Sequence, residues 1–146
     1  MGFVLDTNVY IAADRDRVQA DALTDFYETH LPQTHLHAIV VQEMLAGAIT
    51  PLRAQQLHTA LIAPFERRGR IVVPDYGTWK RAGEILARLV REGLAAPGAF
   101  RHSFIHDVML AASCRQFGHT LVTANTRDFE KIRKVEQFDF VTPFPD

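Results

Sequence analysis

Phe3-Val4-Leu5-Asp6-Thr7-Asn8 is the stretch that decides the fold. Three apolar residues in a row make a strand buried on both faces, and Asp, Thr and Asn directly after them are residues that start turns and cap helices. The segment reads as a buried strand running straight into a helix. The same alternation continues outward. Val18 to Leu31 carries Leu23, Phe26, Tyr27, His30 and Leu31 at helical spacing and is stopped by Pro32. His35-Leu36-His37 reads as a short strand, and Ile39 to Ile49 as a helix ended near Thr50-Pro51. Leu52 to Ala63 is a further helix, with Pro64 and the Arg67-Arg68-Gly69-Arg70 turn leading into the strand Ile71-Val72-Val73.

Asp75 is placed to cap a helix whose stripe of Trp79, Ala82, Gly83, Leu86 and Val90 runs to Gly93, before a loop holding Ala96-Pro97-Gly98. Ser103 to Phe117 is the next helix, with Gly118 as its C-cap. Thr120 to Thr123 is then a strand, Arg127 to Lys134 a short helix, and Phe138 to Val141 the last strand. Short apolar strands alternating with amphipathic helices define an α/β fold, a five-stranded parallel sheet flanked by helices on both faces. In such folds ligands bind beyond the carboxyl ends of the strands, where strand order reverses. The residues just after each strand therefore carry the functional question.

A chain of 146 residues suits one domain spanning 1–146 with a hydrophobic core of its own. Lys plus Arg number 16 against 17 Asp plus Glu, so any contact with nucleic acid must come from local basic patches or from cations bridging to phosphate. Cys114 is the only cysteine, which excludes an intrachain disulfide and a thiolate zinc cluster and fits a reducing cytoplasm. Met1-Gly2-Phe3-Val4-Leu5-Asp6 reaches an acid at once, unlike a signal peptide, and the apolar runs are too short to span a bilayer; no membrane association is expected.

Four acids fall in places that call for an explanation. Asp6 follows the first strand, where an N-cap role competes with a site role. Glu43 has Ile39, Val40, Ala46 and Gly47 as helical neighbours, so it is either drawn into an apolar face, which costs several kcal/mol unless a cation compensates, or borders that face and reaches solvent. Asp107 lies on a stripe with Phe104, Leu110, Ala111 and Cys114; the helix dipole accounts for its place along the helix, at about 0.3–1 kcal/mol, but not for its face. Thr123-Ala124-Asn125-Thr126-Arg127-Asp128 follows another strand, where Asn125 or Thr126 can start a helix with Asp128 in its first turn. Carboxylates that converge on one sheet edge repel one another and need a hard cation such as Mg2+ or Mn2+.

Taken together, Val4-Leu5-Asp6-Thr7-Asn8, Val41-Gln42-Glu43, His106-Asp107-Val108-Met109-Leu110-Ala111-Ala112 and Leu121 through Phe129 give a sequence that resembles the PIN-domain family, and within it the VapC-like toxins of toxin-antitoxin pairs. The resemblance covers essentially the whole chain. It implies a PIN-like fold, hydrolysis of RNA phosphodiester bonds, and Asp6, Glu43 and Asp107 as the catalytic carboxylates holding one or two Mg2+ or Mn2+ ions. A cognate antitoxin protein that covers the acids, and a homodimer, are the partners expected beside RNA. Many relatives carry Asp where this sequence has Asn125, so either Asp128 serves as the fourth metal ligand or a second ion binds weakly.

Thr7, Asn8, Thr123 and Asn125 are expected to orient the carboxylates by hydrogen bonds. Among the basic groups (Arg15 with Arg17, Arg67-Arg68 with Arg70, Arg101 with His102, and Lys131 with Arg133 and Lys134), Arg15, Arg17, Lys131, Arg133 and Lys134 follow site-bearing strands and are the candidates for RNA phosphate contacts. Solvated helix faces are the plain alternative for each. The seven His residues lack the paired spacing of a zinc protease. Two other functions compete: a PIN-fold RNA-binding or regulatory protein with weak or no turnover, and a phosphate-signalling receiver. The receiver needs an acidic pair after the first strand, which is absent.

Overall fold

The computed structural model describes residues 1–143. Strand β1 (Gly2–Leu5) runs parallel between β2 (Thr34–His37) and β4 (His119–Val122), with β3 (Ile71–Val72) and β5 (Asp139–Val141) outermost. The order is β3-β2-β1-β4-β5. Val4, Leu5, Leu36, Leu121 and Val122 are buried at 0–1 % exposure, as strands covered on both faces require, and each such side chain contributes about 1.5–3 kcal/mol relative to exposure. Gly2 is required by space: a Cβ there would lie 2.5 Å from the Gln33 carbonyl oxygen.

The connections follow from strand order. β1 to β2 to β3 steps one way through α1 (Thr7–Arg15), α2 (Arg17–His30), α3 (Ala38–Gly47), α4 (Pro51–Leu57) and α5 (Ala63–Arg67). The chain then returns through α6 (Tyr76–Arg91) and α7 (His102–Phe117) to β4, and through α8 (Thr126–Arg133) to β5. Right-handed crossovers put the first set of helices on one face of the sheet and the second set on the other. Strand order reverses between β1 and β4, which is where such a fold builds its crevice.

Local chemistry explains most boundaries. Asp75 accepts from the Thr78 N–H and hydroxyl, both at 2.8 Å, and starts α6; Gly118, at φ 71°, ends α7 in the left-handed conformation that glycine adopts without a Cβ penalty. Two boundaries differ from expectation. The helical path runs on through Pro64, because a π turn over His58–Ile62 places the proline in the first turn of α5, where its missing N–H costs nothing. β3 ends at Val72, leaving Val73 64 % exposed, since Pro74 cannot donate to the ladder. Val108 to Cys114 are all buried, so α7 is central, and Asp107 enters the interior with it.

Candidate active site

Asp6 is carried to the carboxyl edge of the sheet as the ladder extends one step past β1, its N–H donating to the Val122 carbonyl at 2.9 Å. Its side chain caps α1 through the Thr7 N–H at 2.7 Å, yet capping occupies only Oδ1. Oδ2 accepts from the Thr123 hydroxyl at 2.8 Å and from Asn8 Nδ2 at 3.1 Å. The cap reading of Asp6 holds through Oδ1, while Oδ2 is held at the sheet edge by side-chain donors. Asn8 also donates to Thr123 Oγ1 at 3.2 Å and accepts from the Ala124 N–H at 3.1 Å, stitching the ends of β1 and β4 together across the reversal point.

Glu43 comes in from α3. Its side chain is 29 % exposed, at the rim of the apolar face, and the Thr7 hydroxyl donates to its Oε1 at 2.7 Å. Asp107, at 8 % exposure, faces the same edge from α7. Asn125, the N-cap of α8, donates from Nδ2 to Asp107 Oδ2 at 3.2 Å and to Asp128 Oδ2 at 3.1 Å, while its Oδ1 accepts the Asp128 N–H at 3.4 Å. Its own N–H donates to Thr123 Oγ1 at 3.0 Å. A continuous chain of hydrogen bonds thus runs from Asp6 through Thr123 and Asn125 to Asp107 and Asp128.

The charge state follows from this crowding. Burial, then the negative charges of Asp6, Asp128 and Glu43, push the Asp107 carboxyl up to about 8, with Arg101 acting weakly the other way. Asp6 is also raised, by burial first, against the lowering effect of its Thr123, Thr7 and Asn8 donors. Among the described residues no three His, Cys, Asp or Glu groups stand closely enough round one point to hold an ion in this side-chain arrangement. The donor set is nonetheless all carboxylate oxygen and net negative, which suits a hard divalent cation and not a thiolate or imidazole metal.

Of the residues expected at the site, Asp6, Glu43, Asp107, Asp128, Thr7, Asn8, Thr123 and Asn125 are brought together. The basic candidates are dispersed. Arg15 ends α1 and lines a cleft of about 140 Å3 with Glu43, Met44 and Arg53; Arg17 is exposed at the start of α2. Lys131 stands 5.6 Å from the Phe104 ring centroid, and Lys134 is exposed at the end of α8. Arg133 lies 3.8 Å over the Phe140 ring and donates to the Phe140 carbonyl at 3.3 Å. Two neighbours of the acids are given no site role by the sequence: His106, quoted only within the Asp107 motif, whose Nδ1 is 3.5 Å from Glu43 Oε2, and Arg101, named only within a basic pair, which acts on Asp107.

A parallel sheet with one order reversal thus carries four acids at that reversal, Asp6 and Asp107 of them buried, with His106 beside Glu43 and Arg101 acting weakly on Asp107. The chain belongs to the PIN domain family, whose model matches residues 3–135. It is 22 % identical over 139 residues to a protein named ribonuclease VapC from Rickettsia bellii (strain RML369-C), covering 93 % of this chain and 94 % of that one. It is 26 % identical over 130 residues to a protein named tRNA(fMet)-specific endonuclease VapC from Shigella flexneri, covering 89 % and 91 %. Among solved structures it superposes on a chain of the DNA-bound VapBC complex from Salmonella typhimurium with a TM-score of 0.72 at 22 % identity, covering 97 % of this chain and 98 % of that chain. A chain of FitAcB from Neisseria gonorrhoeae gives 0.71 at 22 %, covering 97 % of each. These likenesses establish the five-stranded PIN-type fold. Among the described residues no helix is long and apolar enough to cross a membrane.

Proposed function

We propose that this chain is a metal-dependent endoribonuclease and the toxin member of a toxin-antitoxin pair, acting in the cytoplasm, with Asp6, Glu43 and Asp107 as its catalytic carboxylates and Asp128 as a further ligand. The observation that carries the reading is the burial of Asp107 among Asp6, Asp128 and Glu43, three like charges drawn from three other elements of the fold. Such an arrangement destabilises the empty fold and makes sense where a cation completes it. Asp6, Glu43, Asp107 and Asp128 would hold a Mg2+ or Mn2+ ion, whose chemistry there would be phosphate neutralisation and a lowered pKa of water for in-line attack.

The protein's own part is positioning. Thr123, Asn8 and the Thr7 N–H hold Asp6 in one orientation, and the Thr7 hydroxyl and His106 hold Glu43. Fixing the carboxylates before RNA arrives lowers the reorganisation needed at the reacting phosphate. The names of the relatives support RNA as the substrate class, and the complexes in which the structural neighbours were solved support an antitoxin partner. A homodimer belongs to the same reading. Arginine from an antitoxin would meet the carboxylates bidentately and stand in for the ion.

A second reading, an RNA-binding protein of weak turnover, is favoured by one feature: the Asn125 amide presents donors, not oxygen, to Asp107 and Asp128. Incubation of purified protein with total RNA separates the two. Cleavage is expected with Mn2+, none in EDTA, and a loss of at least about a thousand-fold in Asp6→Asn and Asp107→Asn. Cleavage that persists in excess EDTA contradicts the metal mechanism; RNA binding without cleavage in Mn2+ favours the second reading.

A further inference from the structure

Beside Asp128, the loop before α7 and the flank of α8 enclose a cavity of about 160 Å3 lined by Phe100, Arg101, Phe104, Asp128 and Lys131, with alanines at 95, 96 and 99 completing the wall. Phe100 and Phe104 stack with ring centroids 5.8 Å apart and planes only 10° from parallel. Phe104 is buried and Phe100 half-buried, so the outer ring keeps part of its surface open. Lys131 stands over Phe104. Arg101 is exposed, and neither cation forms a hydrogen bond or ion pair among the described residues. The alanines leave the space that longer side chains would fill.

Resting on the nuclease reading above, we infer that this cavity is an RNA subsite that takes a nucleotide next to the scissile bond, its phosphate between Arg101 and Lys131 and its base against Phe100. Charge complementarity favours this occupant. Arg101 and Lys131 outnumber Asp128 on the cavity wall and Arg101 offsets Asp107 only weakly, so both cations are available to a second anion, and RNA delivers one phosphate per nucleotide at this edge. Asp128 belongs both to the cavity wall and to the Asn125-bridged pair with Asp107, so a strand seated here runs directly into the acids. Paired cations with an open aromatic face are the components of single-strand binding sites, where stacking is tolerant of sequence and the phosphate contacts set the salt dependence.

The test uses the Asp107→Asn protein in Mn2+, where RNA stays uncut, and measures fluorescence anisotropy of a labelled single-stranded RNA of mixed sequence over a range of salt. Combining Arg101→Gln with Lys131→Gln should weaken binding at least about ten-fold and flatten the slope of log K against log salt by about 1.4, the value for two single-strand phosphate contacts. Phe100→Ala should weaken binding about five- to hundred-fold with the slope unchanged. Arg101 is exposed, so Arg101→Gln alone folds and carries the test, with a slope change of about 0.7, if the combined variant melts low. Equal affinity and slope in parent and variants overturn the subsite while leaving the nuclease reading standing, and are also the result if the cavity seats a protein partner. A parent protein that binds no RNA overturns the subsite, while the nuclease reading is judged separately by cleavage of total RNA by the wild-type protein in Mn2+.

Discussion

Glu136 and Asp107 are both buried acids, at 4 % and 8 % exposure, and they are treated in opposite ways. Glu136, just past α8, receives Arg81 Nε at 2.7 Å and Nη2 at 2.9 Å from α6, with Arg115 Nη1 at 3.7 Å. Its charge is matched inside the fold by a bidentate pair. Asp107 meets one amide, and its nearest charges are other carboxylates. The two acids differ in their surroundings: Glu136 comes with its cation, whereas Asp107 is held beside further negative charge, which is what the proposed metal role of Asp107 would require.

Removing the cation from the matched pair should have the largest effect on stability. Arg81→Met strands Glu136 in the interior and should cost about 3 kcal/mol in urea unfolding, toward the low end for a broken buried pair because Arg81 is half-exposed and Arg115 remains. A cost under about 0.5 kcal/mol would make the two acids alike after all. Asn125→Asp sharpens the contrast from the other side. It replaces the donor shared by Asp107 and Asp128 with a further negative charge, and should lower metal-free stability by about 1–3 kcal/mol, with Mn2+ restoring most of the loss. A loss that Mn2+ does not repair would contradict a metal site at the acids Asn125 bridges, and no loss at all would assign Asn125 to capping alone, a role Asp fills equally well.

A third difference between the two acids is one of pH. A carboxyl raised to about 8 from an ordinary 3.8 binds more protons folded than unfolded between those values, so its stabilising contribution is present at low pH and lost as pH rises from about 4 to about 8. His37 acts in the opposite sense. Its Nδ1 accepts the Ile39 N–H, leaving the proton on Nε2 to donate to Ser113 Oγ at 2.9 Å, and burial lowers it to about 4. Its contribution is present above about 6.5 and lost as pH falls toward 4. Groups common to both proteins, His37 among them, cancel in the comparison, so metal-free wild type should lose stability relative to Asp107→Asn as pH rises from about 4 to about 8. Parallel melting curves for the two proteins across this range would contradict the assignment.

Much of this was legible in the sequence because it is local. An apolar triplet ending in Asp6-Thr7-Asn8 is a strand, a turn and a cap within six residues, and Asp75 and Gly118 mark their helix ends by the same short-range chemistry. The acids could be placed at the sheet edge for the same reason. What stayed hidden depends on contacts distant in the chain. Glu136 looks like a solvated acid in a polar stretch, and only the Arg81 contact, 55 residues back, makes it a buried ion pair. Arg133 looks like a free cation in a basic cluster, but β5 brings Phe140 beneath its guanidinium. His106 and Arg101 gain their meaning from Glu43 and Asp107 in the folded site, and no spacing rule reports that. Asn125 was seen as a departure; that its amide would tie two acids together follows only from where α7 places Asp107.

Whether Asp107 awaits a cation is decided by paired thermal melts of wild type and Asp107→Asn, each in EDTA and in excess Mn2+ near pH 8. Wild type should melt below Asp107→Asn in EDTA, where like-charge repulsion is uncompensated. Mn2+ should narrow or reverse that gap, because an ion at about a hundred times its dissociation constant adds roughly 2.7 kcal/mol to the fold that binds it. An Asp107→Asn shift of equal size and sign with and without Mn2+ would contradict a cation role for Asp107.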